Sequence, residues 1–444
     1  MWKQLLVITV LSIGMLPVVK AQDTTSGSVL KWDLQTCLDY AKKNNITIRS
    51  LRWDQRSSEQ DLLLTKAAKL PNLSGNLRQT VINANNADPV VGGFQTQAKM
   101  SGNYGLSSSW VLYNGGYLNN DIKQKDVLLD MASLGVQQAE NDITLQITQA
   151  FLNILLAREN IVYIEDLLST SQAQLQQGKQ RFDAGSISRK DYLQLEATLA
   201  NDQYNLVNAR NTLRQNTITL KQILQIPSST GFDVVAPDTL NTTHVLPSLQ
   251  DAESAALATR PEVKIGELGV QSAQLELEKA RAGTKPTISL GAGLTSGFSD
   301  NQDQKFFSQL NNNFYQTVGL TVAIPIFNNR IAKTNIEKSK IQIEQARLTL
   351  QGTKTTLDQV VEQAYISTLN AQAQLTAAET QWRTSQESFR ITTEQLRLGA
   401  LATVDLLTQK NLYVQAMQAY IQARYNTILS KKIYDFYTGV PVAL

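Results

Sequence analysis

Cysteine and histidine are nearly absent from this 444-residue chain, which has one of each, Cys37 and His244. A lone cysteine excludes an intrachain disulfide. It also stands away from any N-terminal cleavage point, which argues against a lipid-anchored start. One histidine, without cysteines or carboxylates at ligand spacing, cannot build a metal site. No nucleophile and base stand together as a catalytic set, so the chain reads as a non-enzyme without a cofactor. The run GAGLTSG from Gly291 to Gly297 has the wrong spacing for a dinucleotide-binding loop. It lies in an alternating segment with no helix behind it.

Proline is scarce where it would matter. None of the ten lies between Pro89 and Pro227, or between Pro325 and Pro441. Two long tracts are therefore open to uninterrupted helix. Charge of one sign is also lacking. The formal net charge is +3, and discounting Lys3 and Lys20 (3 − 2) leaves +1, so no nucleic-acid partner is expected. Long apolar runs are missing too. Leu5 to Val19 is short of the about 20 residues that span a bilayer. With Lys3 ahead of it and Val19-Lys20-Ala21 behind it, residues 1–21 read as a signal peptide cleaved near Ala21. Cys37 sits early in an amphipathic helical pattern, as a small buried residue.

What is present is a duplication. RFDAGSISRKDYL from Arg181 aligns without a gap on QLRLGALATVDLL from Gln395, placing Gly185 on Gly399 and Asp191 on Asp405. Near the same offset Pro71 matches Pro286, Leu34 matches Leu249, and Tyr113-Asn114-Gly115 matches Phe327-Asn328-Asn329. Ile226-Pro227 likewise matches Val440-Pro441. The order never changes, as in a tandem repeat. The chain divides into a first unit, 22–236, a linker, 237–247, and a second unit, 248–444. Each unit reads helix, strand, strand, long helix, shorter helix. The helices are expected near 34–69, 118–183 and 188–225, and again near 249–281, 331–398 and 403–437. Each long helix would run roughly 100 Å. In the second, Ile336, Ile343, Leu350 and Leu357 recur every seven residues and Ala364, Ala371 and Ala378 continue the row. Val361, Leu375, Trp382, Phe389 and Leu396 form another, with Thr368 in its gap. Two coiled-coil rows on one helix predict neighbours on both flanks, as in the wall of a tube.

The strand segments alternate. Ile288, Leu290, Ala292 and Leu294 oppose small polar residues, as do Val318, Leu320, Val322, Ile324 and Ile326, and Tyr104, Leu106, Trp110 and Leu112. The strand from Asn72 shows only Leu73 and Leu77 clearly. One apolar and one small polar face suits a transmembrane barrel strand and equally a soluble sandwich. An exported chain without a spanning helix favours the barrel. Four strands cannot close one, and an open edge is not tolerated in lipid, so several chains would share it. Asn83 to Gln97 and Ser299 to Asn313 read as exposed loops.

In its duplicated unit, its Pro71 and Pro286 strand starts, its LYNGG (112–116) and IFNNR (326–330) turns and its two Gly-x5-Asp-x-Leu tips, the whole mature chain resembles the TolC family of outer-membrane efflux proteins. The resemblance implies a mainly α fold with transmembrane β: a trimeric 12-strand β-barrel, four strands per chain, in outer-membrane lipid, continued by a long periplasmic α-helical barrel. It implies a homotrimer serving as a passive exit duct in tripartite efflux or type I secretion. The partners would be a periplasmic adaptor and an inner-membrane transporter of RND or ABC type. A different class, the adaptor itself with its helical hairpin, is the alternative. By resemblance Gly185, Ser186 and Ile187, and Gly399, Ala400 and Leu401, are the hairpin tips that meet the adaptor, with Ser186-Ile187 and Ala400-Leu401 projecting from the rim. Asp405 takes the place of a pore-entrance aspartate, with Asp191 its first-repeat counterpart. Both aspartates also fit helix caps or first-turn helix carboxylates, Asp191 more than Asp405. A second family aspartate is replaced by Thr408, and the family's tyrosine and arginine locks by Leu396 and Leu401.

Overall fold

The computed structural model describes residues 30–88, 93–237, 246–300 and 302–440. The expected signal peptide, His244 and most of the linker lie outside the described residues.

Strand β1 (Leu30–Trp32) leads into helices α1 (Leu34–Asn44) and α2 (Ile46–Ala67). Strands β2 (Ser74–Asp88) and β3 (Gly93–Asn114) follow, then helices α3 (Tyr117–Asp183) and α4 (Arg189–Leu224) and a short β4 (Phe232–Val234). The order then recurs: α5 (Leu249–Thr259), α6 (Pro261–Ala282), β5 (Thr287–Ser299), α7 (Phe306–Asn312), β6 (Tyr315–Ala323), α8 (Ile331–Arg397) and α9 (Thr403–Tyr437). Helices α3 and α8 each hold 67 residues, about 100 Å at 1.5 Å per residue.

Four expectations are corrected. The first helix of each unit is two helices. Asn45 ends α1 and caps α2, its side-chain oxygen accepting from the N–H groups of Thr47 and Ile48 at 2.9 and 3.3 Å. Arg260 breaks the second at the equivalent place, where Pro261 occupies the first helical position that suits it. The segment 83–97 is not all loop, since β2 and β3 pair as far as Asp88 and Gly93. The segment 299–313 contains α7. Strand β6 ends at Ala323, before Pro325, so Ile324 and Ile326 lie beyond it.

The parallel pair β1–β4 was not expected. It ties the start of the first half to its end. Trp32 packs against Tyr40 and Phe232, and Arg158 of α3 holds the carbonyl of Val234 and the carboxylate of Asp233. Beneath this belt lies the main core: Leu34, Cys37, Ile147, Phe151, Leu220 and Ile421 from α1, α3, α4 and α9. Cys37 is fully buried and burial pushes its thiol up to about 12. A second cluster joins Ala252, Ala256 and Val263 to Leu357, Val361 and Ala364. Of the seven-residue rows of α8, Ile343, Leu357, Ala364, Ala371 and Ala378 in the first and Val361 and Thr368 in the second are buried, while Leu375, Trp382, Phe389 and Leu396 are half-buried.

The helices form two tiers. Beside the sheet the packing order is α2, α3, α6, α8, and at the other end it is α4, α3, α9, α8. The sheet order is β2-β3-β5-β6, all antiparallel. In every tier the outermost elements are β2, α2 or α4 on one side and β6 or α8 on the other.

Candidate functional site

The two ends of the molecule carry the functional features. At the sheet end the register sets one face. Leu106 lies opposite Leu294, Trp110 opposite Leu290, and Leu290 opposite Leu320. Leu77, Val81, Val318 and Val322 share that face. Most of its residues are exposed, with Leu77 82% accessible, and Leu290 is half-buried. The other face carries Asn76, Thr80, Asn103, Ser107, Ser289, Gly291, Gly293, Thr317 and Thr321. Stripping water from such an apolar face would contribute roughly 25 cal/mol per Å². Among the described residues no helix is long and apolar enough to cross a membrane, and none of the His, Cys, Asp and Glu groups could hold a metal ion.

The strands turn into the long helices through backbone with positive φ. Gly115 and Gly116 adopt φ of 68° and 88°, and a side chain at Gly115 would collide with the carbonyl of Ala282 at 2.7 Å. In the second half Asn329 and Arg330 take the equivalent conformation at 49° and 67°.

At the other end each hairpin reverses at a glycine. Gly185 has φ 72° and Gly399 φ 76°. Both complete the same helix-ending pattern. The Gly185 N–H donates to the carbonyl of Phe182 and the Ser186 N–H to that of Arg181, at 2.9 and 2.7 Å. The Gly399 and Ala400 N–H groups donate to Leu396 and Gln395, at 3.0 and 2.9 Å. This closes the last carbonyls of α3 and α8 at a φ that glycine alone adopts without cost. Ser186 and Ala400 are exposed, whereas Ile187 and Leu401 are half-buried. The Arg181 guanidinium donates to the carbonyl of Arg397 at 2.9 Å, so the two tips lie side by side.

The two aspartates differ. Asp191 closes a reciprocal cap with Ser188: its N–H donates to the Ser188 hydroxyl at 3.2 Å, and that hydroxyl donates to its carboxylate at 2.7 Å. Asp405 lies in the first turn of α9, where Ala402 offers no side-chain cap. Its residue is exposed and its carboxylate has no hydrogen bond or ion pair among the described residues. Leu396 and Leu401 are half-buried. Thr408 is exposed, its hydroxyl spent on the carbonyl of Val404 at 3.0 Å.

Just inside the tips lies a polar cluster that sequence reasoning missed. Lys410 of α9 donates to the Asp202 carboxylate of α4 at 2.5 Å and to the Ser171 hydroxyl of α3 at 2.7 Å. All three are buried, Lys410 to 2% accessibility. A signal was available. Leu195, Asp202 and Ala209 are spaced by seven, as are Thr403, Lys410 and Met417, so each charge interrupts an inward row.

A four-strand apolar sheet at one end of a double helical hairpin defines a class, the outer-membrane channel subunits with long helical extensions. The family model described as outer membrane efflux protein matches residues 37–224 and 253–431, and the chain belongs to that family. The outer membrane efflux protein BepC of Brucella suis is 22% identical over 407 residues, covering 91% of this chain and 85% of its own. The alkaline protease secretion protein AprF of Pseudomonas aeruginosa is 22% identical over 303 residues, and the match spans 67% of this chain and 62% of AprF. Among solved structures, CusC superposes with a TM-score of 0.80 at 17% identity, over 94% of each chain. The adaptor alternative has no support here. The chain carries two hairpins with a sheet between them, and its family is that of the outer-membrane proteins.

Proposed function

We propose that the chain is one of three copies of a passive duct through the outer membrane and periplasm, without catalytic step or cofactor. The observation that carries this is the coincidence of free edges. The sheet leaves β2 and β6 unpaired on their outer sides among the described residues, and the outermost helices are α2, α4 and α8. An open edge in lipid leaves backbone groups unsatisfied. Joining the β6 and α8 side of one copy to the β2, α2 and α4 side of the next closes sheet and helices together. Such head-to-tail contacts make rings. The outermost helices expose apolar side chains suited to that contact, including Trp53 on α2, Tyr204 and Val207 on α4, and Ile341 and Leu348 on α8. Three copies give twelve strands, wide enough to leave a lumen lined by the small polar face.

The chain then reads as units 22–236 and 248–444 joined by 237–247, exported after cleavage near Ala21. The tips, with Gly185, Ser186 and Ile187 beside Gly399, Ala400 and Leu401, meet a periplasmic adaptor fed by an RND or ABC transporter. Asp405, tripled by symmetry, lines the entrance, and Asp191 serves as a cap. BepC is named for efflux and AprF for protease secretion, and both kinds of cargo fit a passive duct. The expected result is an outer-membrane trimer that survives unheated detergent electrophoresis and collapses to a single chain on boiling. A soluble periplasmic monomer would overturn the reading.

A further inference from the structure

Helix α7 is fastened to the sheet. The Gln309 side chain is 1% accessible. Its amide donates to the carbonyl of Gln304 at 2.7 Å, and its oxygen accepts from the Ser299 N–H at 2.8 Å. The Ser296 hydroxyl donates to the carbonyl of Leu310 at 2.5 Å, and the Asn313 amide to that of Gly297 at 2.8 Å. This segment is therefore a built part of the sheet's outer end.

The face on which it sits follows from register. Phe306 packs 5.0 Å from Phe298 and 6.1 Å from Tyr104, centroid to centroid. Tyr104 lies opposite Leu77 and Ser296, two residues along from the Leu106–Leu294 pair. Phe298 lies opposite Gly102, two further on. Phe298 and Tyr104 thus belong to the apolar face, with Leu106, Trp110, Leu290 and Leu320. Helix α7 lies on the outside of the sheet, away from the small polar face.

Phe307 is 82% accessible there, next to Phe306 at 5.4 Å. Trp110, opposite Leu290, lies toward the other end of the same face, one pair inside Ile288, and donates its indole N–H to the carbonyl of Lys69 at 2.8 Å. From Ile288, opposite Val322, to Phe298 is ten residues (298 − 288), about 33 Å along the strand. Barrel tilt shortens that to about 25 Å, the height of the apolar band of a membrane barrel, which carries aromatics at both margins. Helix α7, packed on Phe298 and Tyr104, stands at one margin of that band and supplies its aromatics.

We propose that α7 is an external membrane anchor. Phe307, beside Phe306, enters the boundary between headgroups and acyl chains of the outer leaflet, continuing the lipid-facing band. This rests on the reading of the sheet as membrane-spanning. The setting suits the place, because aromatic girdles flank the apolar band of a membrane barrel at both interfaces.

The test is spin-label accessibility in the full-length protein. In a Cys37→Ala background, Phe307→Cys carries a nitroxide and the protein is reconstituted into phosphatidylcholine vesicles. Collisions are measured with oxygen, which concentrates in lipid, and with a nickel chelate, which stays in water. A label at Leu106→Cys, opposite Leu294 in the middle of the apolar face, serves as the reference. The expected result is an oxygen-to-nickel accessibility ratio above one at 307, but lower than at 106. A nickel-dominated label at 307 would make α7 a water-facing loop and overturn the proposal. A label reached by neither reagent would mean that a neighbouring copy covers α7, and would overturn it too. If the label at 106 is itself nickel-dominated, the membrane reading of the sheet fails, and the anchor fails with it.

Discussion

At the scale of residues, the Lys410–Asp202–Ser171 cluster carries the largest electrostatic stake. Burial pushes the Lys410 ammonium below its ordinary range, and the hydrogen bond and charge of Asp202 pull it back. A pair this dry is a poor source of net stability but is costly to break, because the surviving charge stays buried. Lys410→Met should therefore cost about 3–5 kcal/mol by leaving the Asp202 carboxylate unpaired. The double variant Lys410→Met, Asp202→Leu should recover most of that loss, since apolar side chains of similar volume remove the stranded charge. Denaturant unfolding of the purified protein in detergent measures both. A double variant no more stable than the single one would show that the cost came from packing. The cluster also explains itself by location. It is the point at which one charge from the second hairpin, in α9, engages both helices of the first.

At the scale of elements, the two hairpins share a turn but differ in how their second helices begin. Ser188 caps α4 and Asp191 answers it, while Ala402 leaves α9 uncapped. Ser188→Ala should destabilise the start of α4 by about 1 kcal/mol, and Ala402→Ser should stabilise the start of α9 by a similar amount. Amide hydrogen exchange reads this as protection falling at Asp191 in the first variant and rising at Asp405 in the second, each by about fivefold. No change at Asp405 would mean that the α9 start is held by contacts other than its own cap. How much of this was legible follows from the signals involved. The long helices and tips could be read because seven-residue rows and matched glycines persist over many turns. The breaks at Asn45 and Arg260 were passed over because apolar periodicity runs through them, although Asn45 is a cap type and Pro261 favours a helix start. The outer parts of β2 and β3 gave no alternation to read. Elements β1, β4 and α7 are too short for any period to emerge, and their places depend on partners distant in sequence. In the site, the aspartates were found by their repeat position. Their unequal bonding depended on Ser188 against Ala402, a difference of one residue outside the matched positions.

At the scale of the whole molecule, a ring multiplies each residue by its symmetry, so a single unpaired group becomes a charged collar. Asp191 has spent its carboxylate on Ser188. Asp405 is exposed and without a partner among the described residues, at the start of the helix that the Lys410 cluster holds in register. Three such carboxylates around one axis concentrate cations and repel anions, provided the entrance is narrow enough for their fields to overlap within a Debye length of about 8 Å. Asp405→Ala should then lower the cation selectivity of the reconstituted protein, read as a shift of the reversal potential toward zero across a potassium chloride gradient in a planar bilayer. Blockade by divalent cations should weaken in parallel, because the shared site for a multivalent ion is gone. Asp191→Ala should leave both readings unchanged and cost only cap stability. Equal effects from the two variants would assign Asp405 to the helix dipole, as a first-turn carboxylate like its counterpart. An effect confined to Asp405 would make the second hairpin the selective half of the entrance, with the first as its support.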